Sequence, residues 1–338
     1  MSLYRLIYDP ASRPRESDLL GPDQPLKPYP PTHRVRFNAG VRLAVFVGSV
    51  VIGMGVMALM GLIGAGFVGL ATGGSDLTGA LIDSIGFASA MELVAAIGGY
   101  VVLVCVLEGR GWPFELGWLR LGGLLKGILL GFVLITVNVG ILALVGSYRV
   151  SGFNSGYSPW FDLLTAGVTA AVAEELIFRG AFFRILEDTI GSVMSLIVTA
   201  VIFGAIHLSN PDATLLGAVG IAIAATILPA VYLATRSLWW PIGVHFAWNV
   251  TQGPIWGSPI SGTGPGRGML RAEWSGPEWL TGGVFGIEAS LILMVTVGLF
   301  SAWLLSMAYR SGNFTLPFWK RRRLLVAASQ DMAPDQSL

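Results

Sequence analysis

The chain is 338 residues long, 54% hydrophobic and only 12% charged, with a formal net charge of +1. Soluble domains carry roughly a quarter of their residues as charged types, so this composition excludes an ordinary soluble protein and points to a polytopic membrane protein. Near-neutral charge with no basic stripe excludes a nucleic-acid partner, because phosphate binding needs clustered Lys and Arg. The single cysteine, Cys105, excludes an internal disulfide framework or thiolate metal cage and is expected in packing. Glycine is abundant, at 45 residues, and sits within apolar runs, where small residues let membrane helices approach closely.

In chain order, residues 1–39 hold seven prolines and mixed charge. They lack an apolar centre for a signal peptide and are expected to form an irregular cytoplasmic arm. His33 belongs to that arm and reads as solvated. With Arg34, Arg36 and Arg42 it makes a basic flank to the first apolar run, which the positive-inside rule places in the cytoplasm. A crossing helix needs about 20 largely apolar residues. Runs of that kind cover 42–70, 84–107, 121–146, 161–187, 190–208, 213–235, 237–252 and 283–309. The expected fold is therefore all-α, a polytopic bundle of eight transmembrane helices with both termini inside. Arg110, Arg120, Arg184, Arg236 and Arg310, with Lys320 to Arg323, mark the inside connections, and the alternate connections are poorer in Lys and Arg. Residues 111–119, with Trp112, Phe114 and Trp118, read as an interfacial turn. Lys320 to Arg323 read as a positive-inside anchor.

An ionisable side chain within a span costs at least ~2.5 kcal/mol on insertion scales, so each needs a partner or a task. The fourth run contains Glu174, Glu175 and Arg179, the fifth ends in Phe203 and His207, and the seventh contains His245 and Asn249. Residues four apart share a helix face. Glu175 can then hold Arg179 as a structural ion pair while Glu174, about 100 degrees round the helix, stays free for chemistry. Counting from the turn near Thr189 at about 1.5 Å per residue puts Glu174 and His207 at similar depth, with His245 and Asn249 matching less well. A carboxylate and an imidazole can hold a water and take its proton, while a second imidazole and an amide donate to the oxyanion formed at a carbonyl. Glu92, in the second run, reads as a neutral, hydrogen-bonded structural group, and Asn138 as interhelical glue.

At these positions the sequence resembles the CAAX protease and bacteriocin-processing (CPBP, Abi) family of intramembrane glutamic endopeptidases. The family's Glu-Glu-x-x-Phe-Arg-Gly is similar to Glu174 to Gly180, its Phe-x-x-x-His to Phe203 to His207, and its His-x-x-x-Asn to His245 to Asn249, in the same order. The resemblance covers about 115–252. It implies that Glu174 is the general base with His207 helping to hold the water, that His245 and Asn249 form the oxyanion site, and that Glu175 and Arg179 support them. The expected units are then the arm 1–39, two N-terminal transmembrane helices in 40–110 and a protease core in 111–252. An extracytoplasmic Gly/Pro/Trp-rich loop, 253–282, a last transmembrane helix, 283–309, and a basic cytoplasmic tail, 310–338, follow.

Zinc is a second chemical reading of one Glu and two His. The His-Glu-x-x-His pattern is absent and the resemblance implies metal-independent hydrolysis, so no cofactor is expected. The expected partners are the lipid bilayer and a peptide or membrane-protein substrate, and the expected location is a prokaryotic plasma membrane. The alternative reading is a non-catalytic immunity or scaffold protein that binds a partner through the same polar cavity.

Overall fold

A computed structural model describes residues 38–72, 77–110, 112–321 and 323. The expected arm up to residue 37, including His33, and most of the basic tail lie outside the described residues. Among the described residues six helical stretches are long and apolar enough to cross a membrane: Ala39–Val56, Ala88–Leu107, Trp118–Leu144, Trp160–Ser209, Leu215–Thr235 and Leu291–Arg310. The chain is an integral membrane protein, mostly helical.

Helix α1 (Ala39–Thr72) and helix α2 (Leu77–Val101, continued by a π-helical turn Val102–Leu107) form an N-terminal pair. Helix α3 (Gly122–Leu144) follows. The stretch Trp160–Ser209 is a hairpin. Its first arm contains α4 (Ala170–Glu175) between two π-helical segments, Leu163–Thr169 and Leu176–Phe183, and its second arm is most of α5 (Arg184–Ile206). The chain reverses at Gly191, where φ is 79° and ψ 167°. Phe178 and Phe203, thirteen residues before and twelve after it, consequently stack edge to face at 4.9 Å. Only glycine suits that turn: its φ is left-handed, and a Cβ would stand 2.8 Å from Thr315 O and Pro317 N.

The run expected as 213–235 divides into α6 (Leu215–Ala224) and α7 (Ile227–Thr235). The run expected as 237–252 is α8 (Trp239–Val250), only 12 residues, continued by a π-helical turn Thr251–Ile255. The last helix, α9 (Leu291–Arg310), begins eight residues later than the expected 283, because Gly282 and Gly286 hold φ values of 89° and 108° and confine the segment to short turns. Two strands interrupt the all-α expectation: β1 (Tyr148–Phe153) pairs antiparallel with β2 (Leu270–Trp274), Tyr148 opposite Trp274 and Phe153 opposite Leu270, with a bulge between Val150 and Gly152. This ribbon joins the connection after α3 to the loop after α8, so both lie at one end of the bundle.

The opposite end buries charge. Arg110, Arg184, Arg236 and Arg321, expected as positive-inside markers, are 0–3% exposed. Arg42 donates to Glu108 (3.1 Å) and Asp188 (2.7 Å), Arg110 to Glu108 (2.9 Å) and through both Nη atoms to Glu115 (2.8 and 2.9 Å), and Arg184 to Glu108 (2.7 Å). Arg236 pairs with Glu187, and Arg321 donates to Asp188 O. Helix termini and tail meet there, and these arginines satisfy buried carboxylates and carbonyls. Cys105 is exposed on the outer face of its π-helical turn instead of serving packing. Asn138 does bridge helices, accepting from Thr296 of α9 at 2.7 Å.

Candidate active site

The position of α8 sets the site, and glycine sets the position of α8. Gly123, Gly127 and Gly131 repeat every four residues along one face of α3, and Gly243 faces them from α8. A Cβ at Gly127 would lie 2.4 Å from Trp240 O, one at Gly131 2.4 Å from Val244 O, and one at Gly243 2.3 Å from Leu124 O. The two backbones therefore touch, as small-residue interfaces in membranes allow. This presses His245 and Asn249 into the bundle, where they are 8% and 6% exposed.

On α4 the two adjacent glutamates part company. Glu175 is fully buried and takes Arg179 Nη1 at 2.9 Å on Oε1. The same oxygen meets His245 Nδ1 at 2.9 Å. Arg179 also donates to Ala225 O at 3.1 Å and lies 5.1 Å over the Phe203 ring. Glu174 turns the other way, into a cavity of about 430 Å³. Its side chain is 26% exposed, its Oε2 has no hydrogen-bond partner, and that oxygen stands 4.0 Å from His245 Nε2. His207 projects from the end of the hairpin's second arm, its Nδ1 2.6 Å from Phe203 O. Asn249 donates through Nδ2 to Ala166 O at 2.8 Å.

Glu174, His207, His245 and Asn249 all line the one cavity, and Glu175 and Arg179 stand behind it. The depth mismatch expected for His245 and Asn249 is not found. Arg236, in the left-handed conformation at φ 51° just ahead of α8, pairs with Glu187, about one helical turn before the hairpin's reversal at Gly191, so the first hairpin arm runs on past the start of α8. Within two turns of its start, α8 brings His245 to 4.0 Å from Glu174 and 2.9 Å from Glu175.

The partners fix the tautomers. A carbonyl or a carboxylate at these distances can only accept, so Nδ1 carries the proton on both His207 and His245. Nε2 of His207 is then an acceptor in the neutral ring, and Nε2 of His245 donates when its ring is an imidazolium. Asn249 keeps the second hydrogen of its amide beyond the one given to Ala166. Among the described residues no group of three or more His, Cys, Asp or Glu side chains gathers as a metal site.

Residues 156–251 match the family model described as Type II CAAX prenyl endopeptidase Rce1-like. This segment is Rce1-like. It carries the hairpin, α6, α7 and α8, and with them the Glu-Glu-x-x-Phe-Arg-Gly, Phe-x-x-x-His and His-x-x-x-Asn residues. No curated protein and no solved structure matches the chain.

Two cavity-lining carboxylates lie outside the Rce1-like segment. Glu288 is 2% exposed and accepts from Trp248 Nε1 (3.3 Å), Gln252 Nε2 (2.9 Å), Ser261 N (2.7 Å) and Ser261 Oγ (2.9 Å). It ties α8 to the loop that follows. An acid within the apolar run 283–309 was its signal in the sequence. Glu92 of α2 also lines the cavity, and no hydrogen bond is made to it by any described residue, contrary to the structural role expected for it.

Proposed function

We propose that the chain is an intramembrane glutamic endopeptidase that hydrolyses a peptide bond with water activated by Glu174 and His207. The observation that carries this reading is the shared cavity, in which an unpartnered Glu174 oxygen, an acceptor His207 Nε2, His245 Nε2 and a spare Asn249 amide hydrogen converge. A water held between Glu174 and His207 loses a proton to the carboxylate as its oxygen attacks the substrate carbonyl. His245 and Asn249 donate to the resulting oxyanion, and Glu175 holds the imidazolium in place through Nδ1. Glu174 then returns the proton to the leaving amine. Arg179 orients Glu175 through their ion pair, which makes both positioning residues.

Peptide-bond hydrolysis is what is carried over from the Rce1-like family, and a prenylated tail is not. In this reading the hairpin arms count as two crossings and α8 as a short one, giving eight crossings with both termini in the cytoplasm of a prokaryotic plasma membrane. The arginine-burying end is then the cytoplasmic end.

Purified protein in detergent should lose at least 100-fold of its hydrolysis as Glu174→Gln or His207→Ala while its thermal unfolding midpoint holds. Substrate is sought by comparing peptide termini in membrane proteomes of cells carrying wild type and Glu174→Gln. A cellular phenotype that survives Glu174→Gln with no change in termini would support the non-catalytic scaffold instead.

A further inference from the structure

Glu92 is a carboxylate in a span to which no described residue makes a hydrogen bond, and its place in the cavity gives it a task. Of the three carboxylates in the lining, Glu174 is assigned to water and Glu288 accepts four hydrogen bonds from the protein. Glu92 accepts none among the described residues. Carboxylates in a membrane interior are costly and are retained where they meet a partner or a substrate. Among the described residues no lysine or arginine lines the cavity, and the rest of its wall is largely Ile, Phe and Ala.

The level of Glu92 relative to Glu174 follows from two contacts. Gly86 of α2 stands beside Phe161, and Tyr100 of α2 packs on Gly180, so α2 and the first hairpin arm run parallel. Interpolating between those contacts puts Glu92 level with Thr169, roughly 7 Å along the axis from Glu174 at about 1.5 Å per residue. An extended peptide advances about 3.3 Å per residue, and side chains two apart share a side. A substrate whose scissile bond lies at Glu174 therefore presents to Glu92 the side chain about two residues away.

We propose that Glu92 is a specificity-determining residue that selects peptides carrying lysine or arginine two residues from the scissile bond. This rests on the hydrolytic reading of the site. The same negative wall disfavours a substrate that brings a free C-terminal carboxylate to that position.

The test uses full-length protein in detergent and apolar host peptides that differ only in Lys, Gln or Glu, placed two residues to either side of the bond found by mass spectrometry to be cut. On one side the Lys peptide should show kcat/KM at least tenfold above the Glu peptide. Glu92→Gln should bring the Lys-to-Glu ratio near one, and Glu92→Lys should invert it. An unchanged ratio in both variants, or an equal loss on all peptides, overturns the proposal, the latter pattern belonging to a proton donor or a folding role. Binding separates this from the protease reading. Labelled Lys and Glu peptides are titrated against Glu174→Gln protein with and without Glu92→Gln, and a tenfold Lys preference that vanishes with Glu92 supports the subsite even where wild type hydrolyses nothing. Equal binding of the two peptides overturns it.

Discussion

Glu175 and Arg179 are four residues apart on one helix face and are almost fully buried, and His245 completes their contact. Removing either member leaves an uncompensated charge in the bundle, which costs about 3–5 kcal/mol. Glu175→Ala and Arg179→Ala should therefore lower the thermal unfolding midpoint markedly in detergent. Glu174→Ala, at a cavity wall where no hydrogen bond and only a 4.0 Å contact with His245 is lost, should leave the midpoint almost unchanged. Equal destabilisation by Glu174→Ala and Glu175→Ala would show that the two carboxylates do not divide their work this way. At this scale the sequence is informative, because spacing on a helix separates Glu174 from Glu175 before any tertiary contact is known. What spacing cannot supply is the third partner: the Nδ1 contact of His245 with Glu175 spans 70 residues. Glu92 shows the same limit, since a carboxylate in an apolar run reads alike whether it meets another helix or a cavity.

Helix α3 acts on the site without entering it, by letting α8 come close enough to aim His245. Gly127→Ala puts a methyl 2.4 Å from Trp240 O, a backbone atom that cannot swing aside. Such overpacking costs about 1–3 kcal/mol and should reduce hydrolysis by displacing His245. Gly140→Ala, on the same helix with nothing within 4 Å, should be neutral or stabilising by up to ~1 kcal/mol, since alanine is the better helix former. Unfolding midpoints and rates of the two variants check this, and similar losses in both would mean that helix propensity dominates, with packing against α8 secondary. Glycines in apolar runs signal such close contact in the sequence, although their partner does not. The long helices are legible because each needs a run of apolar residues. The ribbon is not, because β1 and β2 have six and five residues and pair across more than 110 positions. The late start of α9 is hidden for a related reason: residues 283–289 are apolar enough for a span but are turned by Gly283 and Gly286, whose φ values are 57° and 108°.

Across the whole molecule, the buried charge cluster joins segments outside the Rce1-like region to the hairpin inside it. Arg42 of α1, Glu108, Arg110 and Glu115 from the α2–α3 connection, Arg184 and Asp188 of the hairpin, and Arg321 of the tail form one linked set. Burial pushes the Glu115 carboxyl up, but the charge and hydrogen bonds of Arg110 outweigh it and hold the group at about 2 against an ordinary 4.5. Glu108 is likewise held below its ordinary value, burial being outweighed by Arg184 and Arg110. A carboxylate whose folded value is depressed contributes stability that is fully present above the unfolded value and is lost as pH falls through the folded one. For Glu115 the window is therefore from about 4.5 down to about 2, and the contribution is on the order of 3 kcal/mol. The unfolding midpoint in detergent should be flat from neutral pH to about 5 and fall steeply below it. Arg110→Met removes the cation that does most to hold Glu115 ionised, leaving only Arg184 and the Tyr100 hydrogen bond to oppose burial, so the carboxyl is less depressed and gains less from folding in its charged form. In that variant the midpoint at neutral pH drops, and the further loss on acidification should shrink. An acid limb that is the same in wild type and Arg110→Met would show that the cluster is not what couples the stability of this protein to pH.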